Sequence, residues 1–204
     1  MNLPNKLTLS RIILTFVFMF FLFSPGTAAK YLALITFTVA SLTDLYDGRI
    51  ARNRKLVTDF GKLMDPVADK ILVLAAFLAF VELKIIPAWT VVLIIARESI
   101  ITGLRLLATT KKTFISADRG GKHKTVSQIV TIFTILGFIA VRETAKGIFS
   151  FWTLSFEIWF RRSIFYFMLI TVLLTFTSGI SYLWNNRNVF MQININTKRK
   201  INAK

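Results

Sequence analysis

Cysteine is absent from this chain of 204 residues, and histidine occurs once, at His123. The first absence excludes disulfides, thiolate zinc sites and cysteine nucleophiles; the second excludes a histidine-rich metal centre. Acid is also scarce: ten Asp and Glu stand against twenty-six Lys and Arg, a formal net charge of +16. In a soluble protein that balance suggests nucleic acid. Here the aromatic residues sit mostly in apolar runs and offer no platform on which bases could stack, so nucleic acid is not an expected partner.

Apolar residues, by contrast, are abundant. The chain is 54% hydrophobic, with twenty Phe, and its mean hydropathy is +0.61. A soluble domain does not need so much, and several runs approach the length that crosses a bilayer. The expected fold is an all-α integral membrane protein. Six transmembrane helices are expected, roughly over 7–23, 30–46, 67–83, 87–109, 123–141 and 159–184. The run Ile12 to Phe23 is followed by "SPGTAAK" and at once by another span, so it reads as a helix of the mature protein, not a signal peptide. Pro4 and Asn5 are expected to precede the first helix, "SPG" at Ser24 to Gly26 to end it, and Pro87 to open the fourth.

The connecting segments differ in charge. The segment from Arg49 to Lys70, the one holding Lys111, Lys112, Arg119, Lys122 and Lys124, and the tail with Arg187, Lys198, Arg199, Lys200 and Lys204 are rich in base. The alternate segments hold Lys30, then Lys84, then Arg142, Lys146, Arg161 and Arg162. Basic loops face the cytoplasm and lie against anionic headgroups, so both termini are expected inside. Residues 1–186 form the membrane domain and 187–204 a basic cytoplasmic tail. The stretch Arg142 to Arg162, predicted outside, reads as a short interfacial helix with Trp152 and Trp159 at headgroup level.

Half of the scarce acid is gathered in Ser41 to Lys70, at Asp44, Asp47, Asp59, Asp65 and Asp69. Asp44 and Asp47 are three apart, Asp65 and Asp69 four apart, and each spacing puts two side chains on one helix face. If the second and third spans are neighbours, the two pairs face each other near the cytoplasmic helix ends. Four converging carboxylates stay ionised together only beside cations. Oxygen ligands without His or Cys favour Mg²⁺ or Mn²⁺, or Ca²⁺, and Mg²⁺ typically shares its shell with substrate phosphates. Two ions could share such a site. Gly48, Ala51 and Gly61 are small residues beside the carboxylates, a slot for a phosphate chain; taken singly, each also fits ordinary helix packing.

These residues resemble a known signature. Asp44-x-x-Asp47-Gly48-x-x-Ala51-Arg52, eight residues, then Gly61-x-x-x-Asp65-x-x-x-Asp69 is similar to the motif of the CDP-alcohol phosphatidyltransferases. Eight fixed positions over 26 residues make the match specific. Further likeness lies in "LPNKLTLSR" (Leu3 to Arg11), "ARESIITGLRLLA" (Ala96 to Ala108) and "GKHKT" (Gly121 to Thr125), and it is weakest from Arg142 to Arg162 and in the tail. Within the family, the combination resembles the branch that transfers a phosphatidyl group from CDP-diacylglycerol to sn-glycerol 3-phosphate, releasing CMP, on the way to phosphatidylglycerol and cardiolipin. The resemblance also implies a homodimer with its cavity open to the cytoplasm, in the cytoplasmic membrane.

By the same resemblance Asp44, Asp47, Asp65 and Asp69 hold one or two Mg²⁺ or Mn²⁺ ions, and Asp69 is the general base. Gly48, Ala51, Arg52 and Gly61 match nucleotide-side positions, Asn5 and Thr8 the polar entry of the first helix; Thr58 and Lys62 join them as candidates for CDP-diacylglycerol. Asn5 reads equally as a helix cap. The acceptor's phosphate requires base, and Arg97, Arg105, Lys122 and Lys124 are the candidates. An arginine within a span faces a cavity or a partner, so Arg97 also reads as an ion pair with Glu98 or an Asp. Lys122 and Lys124 also read as topology charge. His123 and Asp59 are expected outside the chemistry. The rival readings are a cardiolipin synthase or inositol-phosphate enzyme of the same family, a cation transporter and a non-catalytic scaffold. A transporter tends to place its ion site near the midplane between inverted repeats, and no repeat is visible here.

Overall fold

The computed structural model of the chain describes residues 3–54, 59–110, 120–148 and 154–187, with side chains over 9–43, 70–106, 108, 124–145 and 155–187. Six α-helices follow one another: α1 (Leu3–Phe23), α2 (Thr27–Arg54), α3 (Asp59–Glu82), α4 (Ala88–Thr110), α5 (Gly120–Ile148) and α6 (Leu154–Asn185). The all-α expectation holds, and each expected span has its helix. Two stretches among the described residues, Lys124–Ala145 and Ser155–Asn185, are long and apolar enough to cross a bilayer, with shorter apolar helices at Leu9–Phe23 and Thr27–Thr43.

The helices are longer than the apolar runs that announce them. α2 continues through the charged residues to Arg54 and α3 starts at Asp59. A helix needs bilayer only for its apolar part; its backbone bonds continue unchanged into water. α1 begins at Leu3, so Pro4 and Asn5 lie in its first turn instead of preceding it. Proline is tolerated there because the first N–H groups have no intrahelical partner. Pro87 stands one residue before α4. The interfacial helix expected over 142–162 is not found: α5 runs on to Ile148 and α6 begins at Leu154. Ion pairs tie these ends together. Glu157 accepts from Arg142 at 2.8 Å and from Arg161 at 3.3 Å, and Arg161 also donates to the Lys84 carbonyl at 3.2 Å.

The turns are capped by recognisable chemistry. Past α1, Gly26 takes φ +96°, and Lys30 Nζ donates to the carbonyls of Leu22 and Ser24, both at 2.7 Å. Past α3, Lys84 takes φ 55°, with Ile85 N–H on the Phe80 carbonyl and Lys84 N–H on that of Val81. This is a Schellman ending with lysine in the place glycine usually holds.

The chain divides into two compact units, Met1–Pro87 with Ile129–Phe165, and Ala88–Gln128 with Tyr166–Lys204. In the first, α1 packs on α2 and α3, and α2 on α3. Its core is aromatic: Phe37 lies 5.5 Å from Phe18 and 5.4 Å from Phe133, ring centre to ring centre. In the second, Ile94, Met168, Val172 and Tyr182 are buried. The outer faces are apolar too, with Phe16 70% and Trp159 74% exposed. Large apolar side chains on both the inner and outer faces are the surface of a membrane protein. Hydroxyls inside the helices return to their own backbone, as Thr15 does to the Arg11 carbonyl at 2.9 Å and Thr36 to that of Leu32 at 2.7 Å.

Candidate active site

The carboxylate motif lies on two helices of the first unit. Asp44 and Asp47 are on α2, Asp65 and Asp69 on α3, and those helices pack together. They are inside their helices and not at the ends, a correction that follows from the helices running past the apolar spans. With a rise of about 1.5 Å per residue, Asp44 stands ~15 Å along α2 before Arg54, and Asp69 the same distance along α3 after Asp59. Asp47 and Asp65 stand at about 10 Å and 9 Å on the same reckoning. Each pair therefore lies a similar distance along its own helix from the end next to residues 55–58.

Gly48, Ala51 and Arg52 are on α2 beyond Asp47, Gly61 and Lys62 on α3 before Asp65, and Asn5 and Thr8 on α1, which packs on both. The side chains of all these residues, and Thr58 altogether, lie outside the described residues. Asp59 is the first residue of α3. Among the residues whose side chains are described, no group of three or more His, Cys, Asp or Glu could hold a metal ion; the motif side chains are not among them. As a donor set, four carboxylates on two packed helices, with oxygen only, suits a hard divalent cation.

The candidate acceptor residues lie in the second unit, and here side chains are visible. Arg97 donates from Nη1 to Glu98 Oε1 at 3.3 Å and from Nη2 to Ser178 Oγ at 3.0 Å. Lys124, from the start of α5, pairs with the same Glu98 oxygen. All three are nearly buried, with side-chain exposures of 10% for Arg97, 13% for Glu98 and 10% for Lys124. The sequence-based alternative for Arg97, a pair with Glu98, is thus present. Two cations 27 residues apart in the chain are brought to one carboxylate. Arg105 lies two turns beyond Arg97 on α4, exposed, with its guanidinium 5.8 Å from the centre of the buried Tyr182 ring. Lys122 and His123 are on α5, their side chains outside the described residues.

Two residues here carry no role in the sequence reading, Ser178 and Tyr182. Glu98 is the expected partner of Arg97, and its second cation, Lys124, is what the structure adds. The α6 residues gave no local sign, because they meet α4 only through tertiary packing. Arg11, quoted only as part of the α1 likeness, is 2% exposed; a cation within the expected span 7–23 was its signal.

Long apolar helices, with two carboxylate pairs on the packed helices α2 and α3, mark an all-helical protein of the membrane class. The family model described as CDP-alcohol phosphatidyltransferase matches residues 1–176, and the chain belongs to that family. It is similar to the CDP-diacylglycerol–glycerol-3-phosphate 3-phosphatidyltransferase of Bacillus subtilis (strain 168), 42% identical over 66% of this chain and 76% of that protein. It is likewise similar to the enzyme of that name from Escherichia coli (strain K12), 38% identical over the same shares. A probable phosphatidylglycerophosphate synthase of Mycobacterium tuberculosis (strain ATCC 25618 / H37Rv) is 42% identical over 64% of each chain.

Proposed function

We propose that this protein transfers the phosphatidyl group of CDP-diacylglycerol to sn-glycerol 3-phosphate, giving phosphatidylglycerophosphate and CMP. Relatives at 35–42% identity bear that enzyme's name, which supports the acceptor as well as the reaction class. The observation that carries the chemistry is the complete motif, with its two carboxylate pairs on the packed helices α2 and α3.

Asp44, Asp47, Asp65 and Asp69 would hold one or two Mg²⁺ or Mn²⁺ ions, which would supply charge neutralisation at the pyrophosphate. Asp69 accepts the proton of the glycerol 1-hydroxyl as that oxygen attacks the phosphorus next to the lipid. The new P–O bond forms as the bond to the CMP phosphate breaks, and Arg52 faces the charge that leaves with CMP. Gly48, Ala51 and Gly61 leave room for the nucleotide, and Asn5, Thr8, Thr58 and Lys62 contact it. Arg97, Arg105, Lys122 and Lys124 hold the acceptor's phosphate. The convergence of Arg97 and Lys124 on Glu98 supports a built cationic site over scattered topology charge.

Six spans, both termini and the active site on the cytoplasmic side of the cytoplasmic membrane, and a homodimer complete the reading. The charge asymmetry of the connecting segments supports the orientation. CMP release from CDP-diacylglycerol that requires sn-glycerol 3-phosphate tests the function; release that ignores the acceptor speaks against it.

A further inference from the structure

Gly179 lies in the interior of α6, where glycine is a poor helix former. Its bare face is occupied. A Cβ built there would meet Arg97 Cγ and Nε, each at 3.2 Å, and Cδ at 3.8 Å. The arm of Arg97 therefore runs across α6 through the space a side chain would take. One residue before, Ser178 receives Nη2 at 3.0 Å. Nη1 is on Glu98, while the buried Nε–H has no hydrogen-bond partner among the described residues. The guanidinium is thus held at two corners, with its Nε packed against the bare Gly179 face of α6.

We infer that Ser178 and Gly179 are positioning residues: Gly179 opens the channel through which Arg97 extends, and Ser178 fixes its tip, so that the pair sets affinity for the acceptor's phosphate. The inference rests on the reading of Arg97 as an acceptor-phosphate residue. The competing account of Gly179 is close helix packing alone, and it predicts no link between Gly179 and acceptor affinity.

The test is steady-state kinetics of the purified full chain, varying sn-glycerol 3-phosphate and CDP-diacylglycerol separately, for Arg97→Ala, Gly179→Ala, the double variant, Ser178→Ala and Ser178→Thr. Arg97→Ala is expected to raise KM for the acceptor about 10- to 100-fold, the loss of a charged hydrogen bond, with the lipid KM unchanged. Gly179→Ala is expected to raise acceptor KM about fivefold by forcing the arm from its rotamer. In the Arg97→Ala background it is expected to add less than about twofold, because both act through one side chain. Ser178→Ala is expected to behave like Gly179→Ala, and Ser178→Thr, which keeps a hydroxyl, to restore the acceptor KM.

If Arg97→Ala is acceptor-selective but Gly179→Ala and Ser178→Ala leave KM alone, or add independently of Arg97, the positioning role is overturned and the acceptor site stands. If Arg97→Ala affects both substrates equally, the acceptor site falls and the positioning role with it. Should Gly179→Ala fail to fold, the Ser178→Ala and Ser178→Thr pair decides by the same criteria.

Discussion

Lys124 of α5 and Glu98 of α4 form an ion pair with both side chains about nine-tenths buried. Glu98 also accepts from the nearly buried Arg97, so its carboxylate balances two cations taken from water and removing it is costly. Glu98→Gln is expected to destabilise the detergent-solubilised protein by about 3 kcal/mol. Glu98→Gln combined with Lys124→Met removes one of the two cations that the lost carboxylate leaves unpaired and should recover part of that stability, the rest staying lost because Arg97 also gives up its partner. Acceptor affinity should remain low in the double variant, since Lys124 is gone. Thermal unfolding with acceptor KM separates the two effects.

Asp69→Asn keeps the shape of the side chain and removes its basicity. Turnover is expected to fall by about 10²- to 10⁴-fold, the usual contribution of a general base, while CDP-diacylglycerol still binds. Single-turnover CMP release and a lipid-binding assay together check this. Substantial retained turnover would remove Asp69 from its role.

Chelation should abolish CMP release, and Mg²⁺ or Mn²⁺ should restore it. Asp47→Ala is expected to need a higher ion concentration for half-maximal rate, because one oxygen donor is lost. A metal titration of both proteins reads the shift directly.

Arg105→Ala is expected to raise KM for sn-glycerol 3-phosphate by about tenfold or more, the scale of a charged hydrogen bond, with little change for the lipid. Equal effects on both substrates would point instead to its stacking on Tyr182.

The absence of cysteine makes orientation easy to read. A single cysteine at Thr197 in the tail should label with a membrane-impermeant thiol reagent only after cells are opened. One at Ser155, at the start of α6, should label from outside in intact cells. The opposite pattern would invert the orientation.

Much of this architecture is legible in the chain itself. The apolar runs announce every helix, and the Asp44/Asp47 and Asp65/Asp69 spacings place each pair on one helix. Hydropathy marks where a chain meets lipid, though, and not where a helix stops. That is why α2 and α3 run on through charged residues, and why α5 and α6 replace an expected interfacial helix. Glu157, held by Arg142 and Arg161, belongs to α6 and to no separate element. Less visible still is the seat of Arg97 on Ser178, 81 residues away. No local pattern around Ser178 and Gly179 signals it, because the partner comes from another helix. The same holds for Phe37, whose neighbours Phe18 and Phe133 lie on other helices.

The most direct test offers the purified protein CDP-diacylglycerol and Mg²⁺ with each of three acceptors in turn: sn-glycerol 3-phosphate, phosphatidylglycerol and inositol phosphate. The expected result is CMP and phosphatidylglycerophosphate in equal amounts from the first, and no lipid product from the others. A product from phosphatidylglycerol or inositol phosphate, with none from sn-glycerol 3-phosphate, would contradict the account.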